Sequence, residues 1–251
     1  MYYTEPHFKS FDGTPLYVRE SGKGPLLLLI HGGATDADFY KDTAEILSES
    51  FHVISYDRRG HVRSGMTPAR DILTAHAEDA SALIRHFSAP GEPAYVVAHS
   101  LGGPIGMKLA ELHPEQIRKL LLFEPMFELS RIRKQKDLRV FFPPVRRKDT
   151  RGRSATEEEI ANIKPDSRAF LKYDRAFIWN FRVPYEALSK VNVLFAVSTQ
   201  SQGTLIYNET LYSAERLHAP VLYYPGFHNC AFHLPREFAY LTKEAFLHDL
   251  T

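Results

Sequence analysis

Three residues in this chain have the types and settings needed for acyl transfer. The first is Ser100, in the run Tyr95-Val96-Val97-Ala98-His99-Ser100-Leu101-Gly102-Gly103. It stands directly after an apolar strand-like run and directly before a helix-like one, so the chain must turn sharply there. Small residues at Ala98 and Gly102 allow the close backbone approach of a nucleophile elbow. The helix start behind the serine offers free N–H groups for developing negative charge. The competing structural reading is a plain cap on a helix over 101–112.

A serine nucleophile needs a base. Tyr223-Tyr224-Pro225-Gly226-Phe227-His228 places a histidine after the last strand-like run and before the final helix. His228 is therefore expected on the same sheet edge as Ser100, to take its proton and later deliver it to the leaving group. His233 is near but is expected to enter the last helix. An acid that holds the histidine tautomer completes such a set. The loop Ser198-Thr199-Gln200-Ser201-Gln202-Gly203 contains no carboxylate, whereas Leu120-Leu121-Leu122-Phe123-Glu124-Pro125 ends in one on the same edge. Glu124 is the expected acid, against a purely structural role at a strand end. Glu209 and Glu215 would compete only if residues 204–217 were not helical. Main-chain N–H groups of Leu101 and Gly33, with Ala34 as the lesser candidate in place of Gly33, are expected to form the oxyanion hole. His31 is read as a brace for that loop.

The elements that must position these residues alternate regularly. Phe8–Phe11, Asp12-Gly13 and Leu16–Arg19 read as a hairpin. Strands are predicted at Leu26–Ile30, Phe51–Tyr56, Ala94–Ala98, Lys119–Phe123, Val191–Val197 and Val221–Tyr224. Helices are predicted at Asp38–Leu47, Ile72–Phe87, Leu101–Leu112, Thr204–Leu217 and Leu234–Leu250. Strand–helix alternation with short links predicts an α/β fold, a mostly parallel sheet of about eight strands flanked by helices. The alternation lapses from Met126 to Leu188, too long for an ordinary connection. Helical stretches such as Arg168–Phe181 make this insert a helical cap between strands six and seven. The expected division is a core of 1–125 and 189–251 with a cap at 126–188.

These features resemble the α/β-hydrolase superfamily over nearly the whole chain. The resemblance rests on His31-Gly32-Gly33, Tyr56-Asp57-Arg58-Arg59-Gly60-His61-Val62-Arg63-Ser64-Gly65, the elbow 98–102 and Gly226-Phe227-His228. It implies the order nucleophile, acid, histidine for Ser100, Glu124 and His228. It also implies that Asp57 and Arg58 orient local backbone. Two departures stand out: Ala98 replaces the usual first glycine, and the acid follows the sixth strand rather than the seventh, as in some family members. Dehalogenases and epoxide hydrolases of the superfamily use an aspartate nucleophile, which Ser100 argues against.

Composition narrows the remaining choices. The chain has 251 residues and a formal charge of +1, which gives no reason to expect a nucleic-acid partner. Its single cysteine, Cys230, cannot form an internal disulfide. The N-terminus lacks a signal-peptide pattern, and the apolar run Pro25–Ile30 falls far short of the ~20 residues of a membrane span. A cytoplasmic location is the resulting expectation. No cluster has metal-ligand spacing, and neither metal nor cofactor is expected; oligomeric state is left open. Between Leu129 and Arg153 ten Lys or Arg face two Asp, which could steer an anionic substrate but fits a solvated surface better. Phe177, Trp179 and Phe181 are candidates for a substrate pocket, with lid core as the even alternative.

The expected reaction is hydrolysis of a small-molecule ester, thioester or lactone through an acyl-enzyme. The first rival is hydrolysis of a C–C bond in a β-diketone-like substrate. The second is a catalytically degenerate binding or sensor protein.

Overall fold

Leu26-Leu27-Leu28-Leu29-Ile30 is apolar at every position, as a strand covered on both faces must be. In the computed structural model, which describes residues 7–126, 174, 178 and 181–248, all five are buried in the middle of the sheet. The strands are β1 (His7–Lys9), β2 (Pro15–Ser21), β3 (Leu26–Ile30), β4 (His52–Tyr56), β5 (Ala94–His99), β6 (Ile117–Phe123), β7 (Val193–Ser198) and β8 (Val221–Tyr224). They form one eight-stranded sheet in the order β1-β2-β4-β3-β5-β6-β7-β8. β1–β2 and β2–β4 pair antiparallel, and the rest pair parallel. This is the mostly parallel sheet expected, and the insert between strands six and seven carries, among the described residues, the short helix Tyr185–Leu188.

Side-chain alternation divides the core into two layers. Leu26, Leu28, Ile30, Val96, Ala98, Leu120 and Leu122 face one layer, with helices α2 (Ile72–Phe87) and α3 (Gly102–Leu112). Leu27, Leu29, Val97, Leu121 and Phe123 face the other, with α1 (Lys41–Leu47), α6 (Cys230–His233) and α7 (Pro235–Leu247). Two further helices, α4 (Tyr185–Leu188) and α5 (Leu205–Leu217), flank β7 in sequence.

Several boundaries differ from expectation for local reasons. Phe11 lies in the turn and is 51% exposed, because Ser10 already closes the hairpin through Gly13 N–H to Ser10 O at 2.9 Å. The helix predicted at 38–47 begins as a 3-10 turn, Ala37–Tyr40. The predicted final helix is two: Pro235 lacks an N–H and starts α7 afresh, leaving His233 in α6. The basic run 129–153 lies outside the described residues.

Candidate active site

Parallel register brings the predicted residues to one edge. Ala98 and His99 of β5 sit beside Leu122 and Phe123 of β6, so Ser100 and Glu124 leave neighbouring strands together. Ile30 of β3 is level with Ala98, which carries the His31–Ala34 turn to the elbow. β7 and β8 are level at Ser198 and Tyr224, and His228 follows four residues later.

The elbow is strained as its sequence requires. Ser100 has φ +52°, a region that non-glycine residues enter only at a cost of about 1–3 kcal/mol. Neighbouring backbone holds it: Ser100 N–H donates to Phe123 O at 3.0 Å, and Ser100 O accepts from Gly103 N–H at 2.9 Å and Met126 N–H at 2.8 Å. A Cβ on Gly102 would come within 2.5 Å of Ile30 O, so glycine there lets α3 start against β3. Ala98 in place of the usual glycine is accommodated one helical turn away, where Gly106 leaves the space. A Cβ on Gly106 would sit 2.7 Å from that of Ala98.

Glu124 also has positive φ, +38°, and its side chain is fully buried. Its Oε2 lies 2.6 Å from His228 Nδ1. Its Oε1 accepts from Ser198 N–H at 2.8 Å. The loop that sequence reasoning found empty of acid thus supplies the donor that orients the relocated carboxylate. Ser198 Oγ also donates to Phe227 O at 2.8 Å, tying the histidine loop to the same point. With Nδ1 facing the carboxylate, the imidazole's Nε2 is the atom left for proton transfer.

His99, quoted in the elbow motif but assigned no role there, supports the histidine from behind. Its Nε2 donates to His228 O at 2.9 Å, and the two ring centroids are 4.5 Å apart. Burial, reinforced by His228, pushes the His99 pKa well below the ordinary histidine range, so the ring is neutral near pH 7.

The loop behind the elbow is held as the sequence suggested, with one addition. His31 is neutral because burial and then Arg58 and His61 push its pKa well down. Its Nδ1 donates to Gly32 O at 2.8 Å and its Nε2 accepts from Arg58 N–H at 3.0 Å. Asp57 accepts from Ala37 N–H at 2.8 Å and Arg63 N–H at 3.0 Å. The Arg58 side chain does more than orient local backbone. It pairs with Asp174, a cap residue 116 positions away in sequence, and also donates to Gly32 O. No periodicity or motif signalled that pairing.

Gly33 and Ala34 lie in the turn beside the elbow, partly exposed, with Ala34 at φ +59°. Leu101 is buried at the start of α3. Glu209 and Glu215 are on α5, as the helical reading required. Phe181 is buried in the apolar cluster that contains Ile178 and Leu188; Phe177 and Trp179 lie outside the described residues. Among the described residues no group of three or more His, Cys, Asp or Glu is arranged to hold a metal ion. No described helix is long and apolar enough to cross a membrane.

Comparison with known proteins gives the family and the fold. The model of the family described as serine aminopeptidase, S33, matches residues 23–183. An uncharacterized hydrolase, YraK, of Bacillus subtilis is 29% identical over 238 residues, 86% of each chain. A putative carbamate hydrolase, RutD, of Azorhizobium caulinodans is 37% identical over 108 residues, 43% of this chain and 40% of that protein. Among solved structures, an esterase (EaEST) from Exiguobacterium antarcticum superposes with a TM-score of 0.71 at 16% identity, covering 98% of this chain and 100% of that one. At that identity the likeness shows the fold alone.

Proposed function

Because the chain belongs to the serine aminopeptidase, S33, family of α/β-hydrolases, we propose that it cleaves a small-molecule carboxylic ester, thioester or lactone through an acyl-enzyme on Ser100. The coarse class, a serine-type hydrolase acting on small molecules, follows from family and fold. The single observation that carries the finer reading is the fully buried Glu124 carboxylate 2.6 Å from His228 Nδ1, on the edge where the Ser100 elbow ends.

The steps balance without an added reagent. Ser100 Oγ attacks the substrate carbonyl carbon while its proton passes to His228 Nε2. Glu124 steadies the resulting imidazolium. The oxyanion is held by the N–H groups of Leu101 and Gly33, each such donor being worth roughly 3–4 kcal/mol. Collapse expels the alcohol or thiol, which takes the proton from His228. Water then attacks the acyl-enzyme, giving its proton to His228, and the second collapse releases the acid and returns the proton to Ser100. An alkoxide or thiolate is an easier leaving group than an amide nitrogen, which favours esters, thioesters and lactones.

Labelling with a fluorophosphonate followed by peptide mass spectrometry tests the nucleophile. The expected result is one adduct, on Ser100, and loss of ester hydrolysis in proportion to labelling. An adduct elsewhere, or none on folded protein, overturns the proposal and returns the chain to a binding or sensor role. Product analysis separates the rival chemistry: an alcohol or thiol supports this reading, whereas a new ketone fragment from a β-diketone supports C–C cleavage.

A further inference from the structure

Arg58 is one of the largest fully buried side chains of the molecule. The steps above leave it unused. Its Nη1 and Nη2 donate to Asp174 Oδ1 and Oδ2, both at 2.9 Å, a bidentate fork on a carboxylate that is itself fully buried. Burial works to raise the Asp174 carboxyl, but Arg58 and His61 beside it outweigh that and hold the group well below the usual carboxylate range. His61 Nε2 lies 3.1 Å from Asp174 Oδ2, and His76 Nε2 4.0 Å from Asp174 Oδ1. Asp174 therefore stays a carboxylate, and its two oxygens lock the guanidinium in place.

Arg58 Nη2 also donates to the carbonyl of Gly32 at 3.0 Å. That carbonyl accepts from His31 Nδ1 at 2.8 Å as well, and His31 Nε2 is in turn held by the Arg58 backbone N–H. Arg58 thus reaches Gly32 O by two routes, one through its side chain and one through His31. A trans peptide is planar, so the Gly32 C=O and the Gly33 N–H point in opposite directions. Gripping the carbonyl sets the direction of the N–H. A charged donor on the carbonyl also polarises the amide and strengthens what the N–H can donate. Gly32 abuts the nucleophile: a Cβ there would come within 2.9 Å of Ser100 Cβ.

We propose that Arg58, locked by Asp174 of the cap, is a positioning residue that aims and polarises the Gly33 N–H of the oxyanion hole. The inference rests on the reading of Ser100 and Gly33 given under the proposed function. It adds that the cap residue Asp174 bears on catalysis without touching substrate.

The test compares wild type with Arg58→Met/Asp174→Leu, which removes both charges and keeps an apolar pair of similar volume. Such replacements of buried ion pairs commonly leave a protein folded. On p-nitrophenyl acetate, kcat should fall roughly 10- to 100-fold with KM within about two-fold. The drop is less than the 10²–10³ of a deleted donor, because the Gly33 N–H is still present and loses only its aim and polarisation. Affinity for an aryl trifluoromethyl ketone, which forms a tetrahedral adduct with the serine, should fall by the same factor. Affinity for the alcohol of the same skeleton should not change, whereas general loosening of the site would weaken both. If the double variant does not fold, Asp174→Asn leaves the guanidinium a single neutral acceptor, and the same split should appear at several-fold size. An active wild type with kcat retained within two-fold in the folded variant, or with both inhibitors weakened alike, overturns this inference alone. A wild type that neither hydrolyses the ester nor forms the ketone adduct overturns the Ser100 reading, and this inference with it.

Discussion

Replacing Glu124 with Gln should separate the carboxylate's charge from its shape. The Glu124 side chain is fully buried, with Oε2 2.6 Å from His228 Nδ1 and Oε1 accepting from Ser198 N–H at 2.8 Å. In Gln the oxygen must remain toward Ser198, because an amide NH₂ there would face another donor. The NH₂ then points at His228 Nδ1, which can only accept, so the ring proton moves to Nε2, the atom needed as base. Two consequences add. Unit charges about 4 Å apart at an effective permittivity of ~20 interact by about 4 kcal/mol, stabilisation that the imidazolium loses. That alone is about a thousandfold in rate, and the unfavourable tautomer brings the expected loss to about 10³–10⁴ in kcat. The assay is initial-rate hydrolysis of an activated ester across substrate concentration, with fluorophosphonate labelling rate measured in parallel. Glu209→Gln and Glu215→Gln, on α5, serve as comparisons. A kcat for Glu124→Gln within tenfold of wild type, in protein that melts normally, would refute the reasoning. So would an equal loss in either comparison variant.

Two further predictions concern stability. Gly106→Ala places a Cβ 2.7 Å from that of Ala98 and 3.2 Å from Leu120 Cδ1, so overpacking should cost about 1–3 kcal/mol. Adding Ala98→Gly removes the closer atom, and denaturant titration should show most of that loss recovered; a double variant no more stable than the single one sinks the account. The second follows from His31, His76 and His99, which burial keeps unprotonated in the folded chain well below the usual histidine range. Groups depressed in this way bind protons only on unfolding, so their stability contribution is present above pH ~6.5 and is lost as pH falls. Asp36 opposes them, its pKa pushed up to about 6 by burial and by Asp38 and Asp57. It holds a proton in the folded state that the unfolded chain lacks. The three histidines outnumber Asp36, so unfolding takes up protons and stability falls as pH is lowered from 6 to 5. Urea midpoints that stay flat over that interval would contradict it, and Asp36→Asn should gain stability at pH 8 but not at pH 4.

Much of the molecule was legible in one dimension because its signals are local. Five consecutive apolar residues at 26–30 can only be a strand covered on both sides. Asp12-Gly13 marks a turn, and a strand meeting a helix at Ser100 requires an elbow. Strand ends on one edge of a parallel sheet then bring Ser100, Glu124 and His228 to the same place. Element ends were less legible where backbone bonding decides them, as at the 3-10 start of Ala37–Tyr40 and the break before Pro235. The tertiary structure decided which polar groups meet across long separations. Ser198 N–H holds the Glu124 carboxylate across 74 positions, His99 holds the His228 carbonyl across 129, and Arg58 meets Asp174 across 116. Periodicity carries no record of such contacts, since any buried charge has many possible partners along the chain. The choice follows only once register and packing bring one of them within hydrogen-bonding distance.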